Sequence, residues 1–285
     1  MVIALNVFQE QKDLKDKKRY SEGYRLVGNH SAVKICAYCK KAIKGQDVCY
    51  KNTFYGIESW RCVQMSPTFF CDHRCVFCWR DIEYVWPKWQ GPVDDPKDIV
   101  DGCIKAHIEL LQGFKGNPNT IVDRLNEMGK PLHFAISLTG EPTMYPRLPE
   151  MIDYLKEKGI TVFLVTNGTL PDMVEKLIDH QPTQLYISVY GSNKEMHQRT
   201  ANPITKDAWG RLQKSLSMMH KFNRNVMRLT LTRGFNFMDP EGYAKLAEKY
   251  RPMFIEPKGF SHIGHSQERL EIRNMPYHNE IMEFA

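Results

Sequence analysis

From residue 62 onward the chain alternates short runs rich in β-branched and aromatic residues with longer stretches whose apolar positions recur every three or four residues. The first pattern predicts strands at 63–70, 133–138, 161–165, 184–189, 227–232 and 254–257. The second predicts helices over 96–112, 119–128, 148–158, 171–180, 206–222 and 240–250. Pro96, Pro171 and Pro240 stand near three of the helix starts, where a missing N–H costs nothing. Strands alternating with helices imply a parallel sheet joined by right-handed crossovers. Six such units are two short of a closed eight-fold barrel, so the predicted class is α/β, a partial (βα)6 barrel that stays open. Residues 1–62 lack the alternation and read as an N-terminal extension, with the barrel over 63–260 and a C-terminal extension over 261–285. Reactive groups in such a sheet gather at the C-terminal strand ends. The loops there are polar: CDHRC, TGEP and TNG.

Composition changes this picture in two places. With 285 residues, 42% apolar and 25% charged, the chain has the length and apolar content for a substantial core. No apolar run approaches the roughly 18–20 residues of a membrane span, and the N-terminus lacks the features of a secretory leader, so a cytoplasmic setting is expected. The net charge of +6 is concentrated in residues 1–51, which hold eleven Lys or Arg against five Asp or Glu and leave the remainder neutral. Such asymmetry suggests a polyanionic partner, although a solvated basic tail gives the same count. The second feature is cysteine. Seven of eight cysteines lie between Cys36 and Cys78, a density that in a reducing compartment points to metal or cluster binding rather than disulfides. Cys103 sits apart on the apolar helical pattern DIVDGCIKAHIELL and reads as a core residue.

Cys71, Cys75 and Cys78 have the spacing C-x-x-x-C-x-x-C. Structural zinc and ferredoxin-type 4Fe–4S sites each want four protein ligands; three in one tight loop leave one iron open. CDHRCVFC resembles the signature of the radical S-adenosylmethionine (SAM) superfamily, with Phe77 as its aromatic. The resemblance implies a TIM-like radical SAM barrel with an N-terminal cluster-binding extension, and SAM chelated at the open iron. The next strand-end loops fit. LTGEP, with Thr139, Gly140 and Glu141, resembles the loop that holds SAM's amino group. Asn167 of VTNG and Ser188 of ISVYG end the following two strands and are further candidates for SAM contacts. Capping of the segment after Pro142 by Glu141 and a plain turn at Asn167–Gly168 remain alternatives.

Upstream, Cys36, Cys49 and Cys62 are spaced evenly, and Cys39 adds a C-x-x-C pair that admits a closed four-thiolate zinc site. A second, more specific resemblance covers the chain from about Cys36 to its C-terminus. CYKNTFYGIESWRCVQMSP, CVFCWRD, SLTGEPTMYP, FLVTNGTLPD and NMPYHNEI are similar to the archaeal form of the tRNA wybutosine-pathway enzyme 4-demethylwyosine synthase. That resemblance implies a second 4Fe–4S cluster on Cys36, Cys49 and Cys62, with no role assigned to Cys39. It implies a lyase that condenses two carbons of pyruvate with 1-methylguanosine beside the anticodon of phenylalanine tRNA. Pyruvate would be held by the second cluster or by Lys51 as a Schiff base. It further implies an external one-electron reductant such as flavodoxin or ferredoxin, a monomer, and some trimming at the C-terminus relative to the family.

Trp79 and Arg80 adjoin the cluster loop and are candidates for contacting the displaced tRNA base. Tyr84 is a weaker candidate, and Trp86 and Trp89 read as packing over the barrel mouth. His73 reads either as a cluster or SAM contact or as a solvent-facing loop residue, and Met218–Met219 as core. Two rival functions stay open at this point: another radical SAM enzyme with an auxiliary cluster, such as a glycyl-radical activase, and a non-catalytic zinc-containing tRNA-binding protein.

Overall fold

The structure, a computed structural model, describes residues 22–82 and 85–285. Lys12, Lys15, Lys17, Lys18, Arg19 and Tyr84 therefore lie outside the described residues. One sheet organises the rest, its strands in chain order: β1 (Arg25–Val27), β2 (Ser31–Val33), β3 (Cys62–Ser66), β4 (His133–Ile136), β5 (Thr161–Thr166), β6 (Gln184–Val189), β7 (Asn225–Leu231) and β8 (Phe254–Gly259). The pairs from β3 to β8 are all parallel, which matches the six strands expected from the alternation. A short antiparallel hairpin, β1–β2, adds to the free edge of β3.

Helices α1 (Ala37–Ile43) and α2 (Tyr50–Tyr55) precede the parallel strands. Helices α3 (Pro96–Leu111) and α4 (Val122–Glu127) cross from β3 to β4, and α5 (Leu148–Glu157) and α6 (Pro171–Lys176) make the next two crossovers. The β6–β7 connection carries α7 (Lys194–Ala201) and α8 (Ala208–Ser217); α9 (Pro240–Tyr250) leads to β8, and α10 (His278–Phe284) follows. Pro96, Pro171 and Pro240 are each the first residue of their helix. Asp95 and Asp239 cap α3 and α9 by accepting from Lys97 N and Gly242 N.

Period-two alternation sorts the strand residues onto two faces. The outward set includes Val63, Phe134, Leu164, Ile187 and Leu229, which form the main core with α3, α5, α6, α8 and α9. Cys103 and Met218–Met219 lie in this core, as the pattern indicated. The inward set is different in kind: Gln64, Ala135, Val165, Ser188, Arg228 and Lys258, one or more from every parallel strand, line a single cavity. The sheet therefore curls around an interior whose wall sets polar and charged groups among apolar ones. Helix α2 covers part of this concave face, where Ile57, Phe163, Tyr186 and Val226 form a second apolar cluster with Cys49 and Tyr55 against it.

Several boundaries differ from expectation. The first parallel strand is Cys62–Ser66 rather than 63–70, because Pro67 cannot continue the ladder. The helix expected over 206–222 ends at Ser217 and continues only as a 3-10 turn, Met219–Lys221. The one expected over 119–128 shortens to six residues.

His107 on α3 is buried with both ring nitrogens unpartnered, and burial lowers its pKa to about 4. Its proton therefore binds the unfolded chain more readily than the folded one. The stability it contributes is intact above about pH 6.5 and is lost as the pH falls toward 4. Replacing it, His107→Leu, is predicted to make the fall in urea stability between pH 7 and pH 5 shallower by about 2 kcal/mol. An unchanged slope would mean that the native imidazole is not held neutral.

Candidate active site

The candidate cluster ligands, the candidate SAM contacts, Lys51, Trp79 and Arg80 line one cavity of about 430 Å³. They are Cys71, Cys75, Cys78, Phe77, Trp79 and Arg80 from the cluster loop, and Thr139, Gly140, Glu141, Asn167 and Ser188 from the strand ends. Cys36, Cys49, Lys51 and Cys62 come from the N-terminal segment. The two cysteine sets straddle β3: Cys62 is its first residue and Cys71 follows its C-terminal loop. Four residue steps of strand separate Cys62 from Ser66, roughly 13 Å at the usual rise, so the cavity runs along the barrel interior rather than lying only at the C-terminal mouth.

Two buried carboxylates fix the loops at that mouth. Asp72, between two of the cluster-loop cysteines, accepts from Asn167 Nδ2 at 2.7 Å, Thr169 Oγ1 at 2.7 Å and Thr205 Oγ1 at 3.2 Å. Glu141 accepts at Oε1 from Thr143 N, Thr143 Oγ1 and Thr166 Oγ1, and at Oε2 from Asn167 N at 2.7 Å. It does accept the amide of the short helical turn after Pro142, and it also ties the β4 loop to β5. Burial raises its pKa to about 7 against the pull of these donors. The side chain of Asn167 is fully engaged: its amide donates to Asp72, and its oxygen accepts from Thr169 N and Oγ1.

Gly140 is required where the two loops meet. It has φ +64°, and a Cβ there would stand 2.3 Å from the Thr68 carbonyl oxygen and 2.7 Å from that of Phe70. The cluster loop is braced from its other side by the segment after β8. Arg269 donates to the carbonyls of Val76 and Cys78, and His265 N donates to that of Trp79 at 3.0 Å. Phe77 packs edge-on against Tyr190, ring centroids 5.1 Å apart. His73 is buried rather than solvent-facing, and both of its ring nitrogens lack partners. Arg80 stacks on Trp79 at 4.6 Å and donates to Ser137 O. Trp89 packs among His30, Phe70 and Tyr145, while Trp86 is partly exposed.

The donor set fits iron–sulfur ligation. Burial pushes the Cys71 and Cys75 thiols well above their ordinary range, so metal coordination is what would make them thiolates here. Among the described residues no three His, Cys, Asp or Glu side chains converge on one ion-sized point. A cubane instead takes thiolates at separate corners, which suits cysteines spread along a loop. At the other end, Cys36 and Cys49 stand at the N-termini of α1 and α2, neither using its sulfur as a cap. Ser59 Oγ donates to Cys49 Sγ at 3.1 Å, and burial pushes the Cys62 thiol up to about 12. Cys39 is 1% exposed and packs with Ile35, Ile43, Leu111 and Met128. Its burial is what separates it from its three more accessible neighbours.

Lys51 projects from the first turn of α2 and is buried, its Nζ 4.6 Å from the centre of the Phe163 ring and 5.8 Å from that of Tyr186. Burial depresses its pKa, with Arg228 adding to the effect, while Cys62, Cys49 and Glu256 oppose it.

The radical SAM superfamily model matches residues 65–247, and a wyosine base formation model matches 249–285. Over 267 residues the chain is 44% identical to the S-adenosyl-L-methionine-dependent tRNA 4-demethylwyosine synthase of Pyrococcus abyssi, covering 92% of this chain and 78% of that relative. The chain belongs to the tRNA 4-demethylwyosine synthase family of radical SAM enzymes. Among solved structures it superposes on TYW1 with a lysine–pyruvate adduct bound, with TM-score 0.84 and 34% identity over 97% of this chain and 87% of that one. An archaeal TYW1 crystal structure gives TM-score 0.76 and 30% identity, covering 97% and 86%. Membership of the synthase family brings with it SAM and a 4Fe–4S cluster. The resemblance carried by CVFCWRD and LTGEP thus holds at the level of the whole fold. Asp72, Arg228, Lys258 and Arg269 went unmarked in the sequence, because a charged residue in a strand or loop looks the same whether it faces water or an internal cavity.

Gly140→Ala is predicted to lower stability by roughly 2–4 kcal/mol, from the left-handed backbone and the clash with two carbonyls. Urea unfolding would check it; a loss under 1 kcal/mol would mean that the loops separate easily.

Proposed function

We propose that the chain is a carbon–carbon bond-forming lyase that condenses C2 and C3 of pyruvate with 1-methylguanosine in phenylalanine tRNA, the C1–C2 bond breaking so that C1 leaves as a one-carbon carboxyl fragment, giving 4-demethylwyosine. The observation that carries this reading is the single cavity shared by a three-cysteine loop, a second cysteine set and a buried lysine. In it Cys71, Cys75 and Cys78 hold one 4Fe–4S cluster, and Cys36, Cys49 and Cys62 hold a second. With SAM, the first cluster supplies one-electron C–S cleavage and hence hydrogen abstraction from the unactivated N-methyl group. Thr139, Gly140 and Glu141 lie where SAM's amino group is held, with Phe77 and Ser188 on the adjoining wall. Asn167 positions this wall through Asp72. The Lys51 amine attacks the C2 carbonyl of pyruvate, an N–C bond forms, the carbonyl oxygen leaves as water, and the resulting imine fixes C3 in the cavity. Trp79 and Arg80, stacked beside the cluster loop, take the displaced base. The synthase works as a monomer in a reducing cytoplasm, and a separate flavodoxin or ferredoxin delivers its electron.

Incubation with 1-methylguanosine-containing tRNA, SAM, pyruvate and dithionite, followed by nucleoside mass analysis, is expected to show the tricyclic base. Its absence with fully reconstituted protein would overturn the proposal. Lys51→Arg keeps the charge but forms no imine, so its turnover should fall at least a hundredfold; near-normal turnover would exclude the covalent role. Replacing Cys36, Cys49 and Cys62 together by Ala should reduce bound iron from about eight to about four per chain.

A further inference from the structure

The inward face of the sheet carries charges that the reading above leaves unused. Register places Ser188, Arg228 and Glu256 side by side across β6, β7 and β8, with Lys258 beside Thr230 in the next row. Arg228 is held on three sides. Its Nη2 donates to Tyr50 Oη at 2.5 Å and to Glu256 Oε2 at 3.1 Å, and its guanidinium lies 4.2 Å from the centre of the Tyr186 ring. Its Nε is buried with no partner.

The Lys258 side chain has neither a hydrogen bond nor an ion pair among the described residues; the residue is exposed and lines the cavity. Desolvation lowers its pKa to about 8, with Arg228, Lys51 and Arg80 lowering it further and Glu256 opposing them; it remains mostly charged at neutral pH. Lys51, Arg228 and Lys258 thus line the same cavity, and Arg228 is ion-paired with Glu256. Four cations, Lys51, Arg80, Arg228 and Lys258, line the cavity with two carboxylates, Asp81 and Glu141; the space that Lys51, Arg228 and Lys258 share is arranged for an anion.

We propose that Lys258 and Arg228 form a carboxylate seat that selects the 2-oxo acid by its C1 carboxylate while Lys51 addresses C2. This rests on the pyruvate reading above. The carboxylate is one bond from the reacting carbonyl, so a seat beside Lys51 orients C2 toward its Nζ and turns C3 into the open cavity. Arg228, fixed by Glu256 and Tyr50, supplies direction, and Lys258 supplies charge. An uncharged ketone would lose both. The carboxylate of SAM is the other source of the same chemistry, and the experiment separates the two.

The test uses the reconstituted holoenzyme with tRNA, SAM and dithionite. For Lys258→Met the KM for pyruvate should rise at least tenfold while kcat stays within threefold, and the preference for pyruvate over methyl pyruvate should shrink at least tenfold. Lys258→Arg should stay within threefold of the parent in both. Arg228→Lys, which keeps the pairing with Glu256, should show a smaller rise in the KM for pyruvate. Unchanged KM and unchanged preference in Lys258→Met would overturn the seat. So would a rise in the KM for SAM with that for pyruvate unmoved, which would assign the site to the SAM carboxylate. Trapping with cyanoborohydride and peptide mass analysis is the separate check on Lys51. If the parent traps no pyruvate on Lys51 yet discriminates through Lys258, the imine reading fails and the seat stands.

Discussion

The mouth of the barrel is held by two carboxylates that form no ion pair among the described residues. Asp72 and Glu141 are buried, and their lone pairs are taken up by hydroxyls and amides from two other loop segments, 166–169 and the one carrying Thr205, and, for Glu141, from Thr143 of its own loop. A buried charge without a counter-ion persists only where hydrogen bonds replace its hydration, so each donor is both a positional constraint and a condition of stability. Asp72 lies in the loop that carries the three cysteines, and Asn167 bonds to both carboxylates, through its side chain to one and its amide to the other. The cluster loop, the LTGEP loop and the end of β5 therefore cannot move independently. The three-cysteine loop and the loop proposed to hold SAM are one hydrogen-bonded unit.

The charges of the cavity are spread over its length. Buried Asp72 and Glu141 stand in the loops at the C-terminal strand ends, Lys51 on α2 and Arg228 midway along β7 stand further in, and Lys258 lies exposed near the C-terminal end of β8. In a space partly walled by protein such charges are screened less than they would be at a surface.

The six parallel strands were legible because their outward residues, from Val63 on β3 to Leu229 on β7, are apolar with a regular period. The hairpin β1–β2 was not, since three-residue strands are too short to show a period at all. Helix α7, KEMHQRTA, was missed because its apolar stripe is thin among polar residues. Motifs had named most of the residues that line the cavity, down to Lys51, but not its other internal cations, Arg228 and Lys258. Alternation reports which residues share a face and is silent on whether that face meets bulk water or a chamber. Arg228 and Lys258 look on paper like the solvent side of an edge strand. Arg269 was hidden for a different reason: the segment that places it against the cluster loop has no regular structure beyond a 3-10 turn, Gly264–Glu268.

The strand between the two cysteine sets has a history as well as a position. Cys62 pairs with His133 across the longest connection between neighbouring strands in the sheet, through α3 and α4. Loop-closure entropy makes this junction the costliest of the parallel pairings to form. Both ends of the cavity depend on it, because Cys62 and the loop bearing Cys71 hang from the same strand. Both thiol sets lie on the N-terminal side of this junction, so the strand that links them is fixed in the sheet through its most non-local contact.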